Sequence, residues 1–275
     1  MNTNLKEIAR DIRCDVIEMI GRLGVGHIGG CLSVVELLTV LYFEAMNVDP
    51  KNPKMEGRDR FICSKGHAGP TVYAALAKKG YFERERLWTL NRGGTELPSH
   101  CNMTLTPGID MTTGSLGQGF SCAVGAALGA KLAKDGARVY ALVGDGECQE
   151  GPIWEAAMFA GAKELDNLIG FVDANRMQID GTVAEVNTVE PLADKWAAFG
   201  WNVIDVARGN DVEAVSAAVQ QAKSNLGLGK PTMVILRTVK GSGMKWAEDL
   251  GPANHNTAVP MDVAEAAIRT LREEA

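Results

Sequence analysis

No Cys-x-x-Cys pair occurs in this chain, and none of its six cysteines (14, 31, 63, 101, 122 and 148) has a histidine at zinc-like spacing. That excludes a zinc ribbon and suits free thiols in a reducing compartment, with no metal assigned to them. There is no long Lys/Arg run, and with a net charge of −6 and a pI near 5.4 the chain lacks a surface for neutralising nucleic-acid phosphates. No uncharged apolar stretch reaches the roughly 18 residues of a membrane span, and Met1 to Glu7 lacks an apolar signal core. A cytoplasmic protein without membrane contact is expected. A G-x-x-x-x-G-K-[ST] loop is also missing, which disfavours nucleoside triphosphates. Only four histidines are present.

What is present suits small-molecule chemistry in one large domain. The 275 residues are 46% hydrophobic with mean hydropathy −0.04, enough to bury a full core. Helical periodicity marks residues 4–22 and 33–46, so two helices precede the first strand, 60–63. A helix follows at 71–79. Residues 93–107 are polar and turn-rich, a stretch that in a compact domain marks a functional loop. Residues 118–134 form a helix of small residues. Residues 139–143 and 168–173 form buried strands, and 201–206 and 232–238 two more, these last separated by a helix over 211–224 that Asp211 or Asn210 caps. Alternation of this kind predicts a doubly wound α/β fold, a mostly parallel sheet with helices on both faces.

Gly144-Asp145-Gly146 ends one of these strands and Asn175 follows another. A carboxylate and a carboxamide at neighbouring strand ends lie where open α/β sheets bind ligands. Mg²⁺ takes hard oxygen ligands, few of them from protein and the rest from phosphate. The flanking glycines permit close backbone approach, and a helix beginning at Glu147 would favour an anion. Alone, Gly-Asp-Gly also reads as an ordinary turn.

Gly24-Val25-Gly26-His27-Ile28-Gly29 matches G-x-G-x-x-G, but a helix precedes it where a dinucleotide fold needs a strand, so it reads as a flexible turn presenting His27. All four histidines, His27, His67, His100 and His255, sit among turn or glycine residues. Singly each reads as a surface histidine; if they converge, they form a pocket that binds diphosphate and sugar hydroxyls and moves protons near neutral pH. Thr112 to Gly119 is a glycine-punctuated turn opening a helix, suited either to tight packing or to backbone lying against a flat ring.

In this order, Gly26-His27 with Gly29-Gly30, Ser64 to Ala68, Thr112 to Gly119, Gly144-Asp145-Gly146 with Glu150-Gly151, Asp173-Ala174-Asn175 with Ile179-Asp180-Gly181, and His255 resemble the N-terminal, diphosphate-binding domain of transketolase, from about residue 10 to 260. The resemblance implies thiamine diphosphate with Mg²⁺, or Ca²⁺ or Mn²⁺ in its place. It assigns the metal to Asp145, Asn175 and the Met177 carbonyl. The diphosphate falls to His67, Gly146 and His255, and the aminopyrimidine ring to Gly114 and Leu116. Glu147, Asn175 and Ile179 join the cofactor contacts. His27, His100 and His255 would face the sugar and the reaction centre, with His27 or His255 as base, and Glu150, with Glu155, would link paired active sites. Ala174-Asn175 keeps one of the two asparagines common in the cofactor fingerprint.

A complete transketolase continues into pyrimidine-binding and C-terminal domains, so residues 1–275 are expected to form one diphosphate-binding domain. The remainder would come from a C-terminal transketolase subunit in an α₂β₂ assembly. The implied activity is two-carbon ketol transfer from a ketose phosphate to an aldose. Alternatives are a subunit specialised for a branched or sulfonated catabolic sugar phosphate, an α-type subunit of a 2-oxo acid dehydrogenase, or a non-catalytic module that kept the fold.

Overall fold

The structure, a computed structural model, describes residues 4–273; Met1 to Thr3 of the segment read for a signal lie outside that range. Five parallel strands form the central sheet in the order Arg60–Cys63, Val139–Gly144, Leu168–Asp173, Thr232–Leu236, Asn202–Val206. The three middle strands are buried along nearly their whole length, so they read as unbroken apolar runs and still divide their side chains by the two-residue period. Val139, Ala141 and Val143 face a core built with helices α5 (Gln118–Ala133) and α6 (Gly151–Ala162). Tyr140 and Leu142 face the opposite core. There they meet α1 (Leu5–Leu23), α3 (Val35–Val40), α4 (Gly69–Lys79) and the helix Val212–Ser224.

The expected strands and helices are found at their places. Asp211 caps the last of these helices through the Glu213 and Ala214 amides, both at 3.0 Å. The run 33–46 differs: it is α3 continuing into a wider turn over Leu41–Ala45, with a separate short helix α2 (Ile28–Leu32) before it. The segment after Asp145 is also in two pieces, a tight turn Gly146–Gln149 and then α6, because Glu150 takes an extended conformation (ψ 131°). Helix Met261–Glu273, not anticipated, packs on α1: a Cβ on Gly21 would lie 2.7 Å from Ala264 Cβ, so glycine sets the approach of the two helices.

The segment around His27 is not the flexible turn its glycines suggest. Val25 and Gly26 pair antiparallel with Ala258 and Thr257, and α2 begins at Ile28. A Cβ at Gly29 would fall 2.1 Å from the Asn254 side-chain oxygen. These glycines serve close packing rather than mobility, and two distant stretches of chain hold His27 in place.

Candidate active site

Every strand of the parallel sheet sends its carboxyl end to one edge, and four of the five continue into segments that line a single cavity there, of about 340 Å³. After Cys63 come Lys65 and His67; after Gly144, Asp145 and Gly146; after Asp173, Asn175 and Met177; after Leu236, Lys240. The loop 93–107, without a regular element, contributes His100. Every site residue predicted for the metal, cofactor and catalysis lines this cavity. Glu155 does not: it is exposed on α6.

The four histidines converge. Ring centroids of His27 lie 5.5 Å from His67, 5.6 Å from His100 and 5.4 Å from His255, and His67 and His255 are 5.1 Å apart. Burial, then the charges of neighbouring histidines and lysines, lowers their basicity. His27 falls to about 4, with His100 and Lys240 adding to the effect of burial; His255 falls to about 3, through burial and then Lys240. His67 and His100 are also lowered, chiefly by burial. All four are therefore neutral at pH 7, each with one ring nitrogen to donate and one to accept.

Asp145 and Asn175 are 3% and 7% exposed and follow adjacent strands, where Gly144 pairs with Asp173. Arg176 adopts a left-handed conformation (φ 64°), which turns the chain back so that its amide donates to Asp145 Oδ2 at 2.5 Å, while the Gly146 amide donates to Oδ1 at 2.8 Å. Burial, with Asp173 nearby, pushes Asp145 up to about 7. A cation beside it would relieve that burden. The donor set of carboxylate and carboxamide oxygens suits a hard ion of the Mg²⁺ type.

Glu147 has its carboxylate committed within the protein. It accepts from Ser64 Oγ (2.5 Å), Gly117 N (2.8 Å) and Gly144 N (3.0 Å), clamping the ends of two strands to the turn before α5. That turn needs its glycines: Gly117 sits at φ 81°, and Gly114 lies against His100.

Lys65, Lys240 and Asp173 escaped sequence reasoning. Lys65 and Asp173 form a fully buried pair at 2.5 Å; burial opposes both charges, and each overrides it for the other, leaving Lys65 raised and Asp173 lowered. Lys240 is 3% exposed and has no carboxylate at salt-bridge distance among the described residues. Burial, then Lys65, brings it down to about 8. An unpaired buried ammonium in a cavity with four imidazoles fits an anionic ligand such as a diphosphate. The sequence signals were Lys65 within Ser64-Lys65-Gly66-His67 and Asp173 within Asp173-Ala174-Asn175; nothing local distinguished Lys240.

Residues 4–272 match the family described as transketolase, thiamine diphosphate binding domain. The chain belongs to this family. It is thus a thiamine diphosphate-binding domain of the transketolase type of transferase, which sets aside the 2-oxo acid dehydrogenase alternative.

It is 52% identical over 271 residues to the 6-deoxy-6-sulfo-D-fructose transketolase subunit SqwG of Clostridium sp. (strain MSTE9), covering 98% of this chain and 97% of that one. Identity to an apulose-4-phosphate transketolase subunit from Phocaeicola vulgatus is 39% over 258 residues, 94% of this chain and 90% of the relative. The crystal structure of transketolase from Campylobacter jejuni superposes with a TM-score of 0.89 at 31% identity, covering 99% of this chain and 43% of that one. The transketolase domain here therefore corresponds to less than half of that longer chain. Among the described residues no helix is long and apolar enough to cross a membrane.

Proposed function

We propose that this chain is the N-terminal subunit of a cytoplasmic, two-component transketolase that moves a two-carbon ketol unit from a ketose phosphate to an aldose acceptor. The observation that carries the reading is the convergence of His27, His67, His100 and His255 with Asp145 and Asn175 on one cavity, in a chain of the same extent as relatives named transketolase subunits.

Thiamine diphosphate, when bound, would supply a nucleophilic carbon for addition to the ketose carbonyl. The chain's own residues bind and orient. Asp145, Asn175 and the Met177 carbonyl would hold a divalent metal, Mg²⁺ or its substitutes Ca²⁺ and Mn²⁺. His67, Gly146, His255 and Lys240 receive the diphosphate, and Gly114, Leu116 and Ile179 border the rings. Glu147 supports the site through the backbone amides of Gly117 and Gly144. His27 or His255 takes the proton from the C3 hydroxyl of the donor, and His100 orients the sugar. Burial is the main cause of the low basicity of His27 and His255; a bound anion would offset the smaller part that Lys240 and Lys65 add and so raise it. Glu150, exposed and lining the cavity, would meet a neighbouring subunit.

The partner would be a C-terminal subunit with a pyrimidine-binding domain, in an α₂β₂ assembly with the cofactor at the interface. A second reading, specialisation for a sulfonated or branched sugar, draws on the relatives named for 6-deoxy-6-sulfo-D-fructose and apulose-4-phosphate.

The test is reconstitution with the product of the adjacent reading frame, thiamine diphosphate and Mg²⁺, and a screen of phosphorylated, branched and sulfonated ketose donors against aldose acceptors. Transfer of a two-carbon unit is expected; no turnover with any pair overturns the proposal. The donor preference separates the two readings.

A further inference from the structure

A carboxamide has two ends of similar size and opposite character, and only its oxygen suits a hard cation. At Asn175 the ends are keyed. Its Nδ2 donates to Asp173 Oδ2 at 2.9 Å, and its Oδ1 accepts from the Met177 amide at 3.1 Å. Turning the group over would set two acceptors together at one end and two donors at the other.

We propose that Asp173 is a positioning residue: its carboxylate, fixed by Lys65, Ser33 and Thr238, holds the Asn175 carboxamide with the oxygen presented for metal binding. The proposal rests on the reading of Asn175 as a metal ligand.

Asp173 is 0% exposed and accepts four hydrogen bonds. Lys65 Nζ (2.5 Å), Ser33 Oγ (2.6 Å) and Asn175 Nδ2 meet Oδ2, and the Thr238 hydroxyl meets Oδ1. Three donors saturate Oδ2, Oδ1 keeps one lone-pair site beside the Thr238 hydroxyl, and Asp173 is not among the residues that line the cavity. Its negative charge is answered by Lys65 and is not offered to the cavity.

The support extends outward. Lys65 Nζ also donates to the Gly30 carbonyl at 3.0 Å, which ties the segment after His27 to the same carboxylate. Asn210 donates to the Ser33 carbonyl (3.0 Å) and accepts from the Val239 amide (2.7 Å), bracing Ser33 and the residue after Thr238. Side chains held on every side by buried partners keep one orientation.

The test measures Mn²⁺ uptake by electron paramagnetic resonance, in the presence of thiamine diphosphate, for Asp173→Asn, Asn175→Ala and the double variant. Asp173→Asn is expected to weaken Mn²⁺ binding by roughly ten- to a hundredfold, and to add little once Asn175 is alanine, because it acts through that residue. Full additivity overturns the positioning role. Unchanged affinity in Asn175→Ala overturns the ligand reading instead. Because Asp173→Asn strips Lys65 of its counter-ion, Thr238→Val is the milder variant: it keeps the ion pair and is expected to cost about three- to tenfold in affinity, the equivalent of one hydrogen bond.

A readout independent of metal uptake is exchange of the Asn175 side-chain amide protons in the metal-free chain, followed by nuclear magnetic resonance. Slow exchange in the wild type and faster exchange in Thr238→Val is expected; equal exchange in both overturns the proposal.

Discussion

Lys240 Nζ lies 3.2 Å from His255 Nδ1, an ammonium and an imidazole that share the floor of one cavity. The pair can coexist only with the imidazole neutral, accepting from the ammonium, and burial already lowers both groups. An anion placed between them and the cavity mouth reverses that pressure. Lys240 is at about 8 without ligand, so pyrophosphate binding at pH 8 is expected to take up protons. Calorimetry in buffers of different ionisation enthalpy measures this uptake. Lys240→Met should weaken pyrophosphate roughly ten- to a hundredfold, the loss of one charge-assisted hydrogen bond, and remove the proton uptake near pH 8.

A proton and a metal bound at Asp145 would compete. With its carboxyl at about 7 in the metal-free chain, metal binding should release a proton and weaken about tenfold for each pH unit below 7, as for any ligand that must be deprotonated. Mn²⁺ titrations at pH 5, 6 and 8 check the slope. A flat profile would show that Asp145 is not the titrating ligand. Asp145→Ala should abolish metal-dependent cofactor binding.

Stability should fall on acidification. The folded pKa values of His27 and His255, about 4 and 3, lie below the unfolded value near 6.5, so between pH 6.5 and 4 the unfolded chain binds more protons and stability is lost as pH falls. His67 and His100 are shifted the same way. Asp145 opposes them: raised from 3.8 to about 7, its contribution is present at low pH and lost as pH rises through that window. Asp15 and Glu147, also raised by burial, act with Asp145; the four histidines outnumber these three carboxyls, so Tm should drop between pH 7 and 5, and His27→Gln with His255→Gln should flatten the decline. A double variant with the wild-type slope would contradict this assignment.

Glu147→Ala should destabilise the chain by about 3 kcal/mol, because the Gly117 and Gly144 amides and the Ser64 hydroxyl lose a buried acceptor together. Thermal unfolding of the metal-free chain checks it. A loss of cofactor affinity with unchanged Tm would instead make Glu147 a direct ligand.

How far the chain was legible depended on the range of the interaction. The strands 139–143 and 168–173 were readable because strands buried on both faces are continuous apolar runs, and the helix from Val212 because Asp211 caps amides two and three residues on. Asp145 and Asn175 were readable because a site at the carboxyl edge of a parallel sheet follows from the position of the strand ends. The bridge between Val25-Gly26 and Thr257-Ala258 was not readable, since its two sides lie more than 200 residues apart, nor was the short helix α2, whose five residues are too few to show a period.

The sequence by itself determined the alternating α/β layers, the carboxylate and carboxamide at two strand ends and, through its ordered motifs, the transketolase family. Local patterning and backbone chemistry suffice for those. Tertiary structure alone decided that the four histidines meet, that Lys240 lies unpaired beside His255, and that Asp173 serves Asn175 through Lys65, Ser33 and Thr238. Each of these depends on burial and on contacts between distant segments, and both the basicity of a side chain and the facing of an amide are set by what surrounds it, not by its neighbours in the chain.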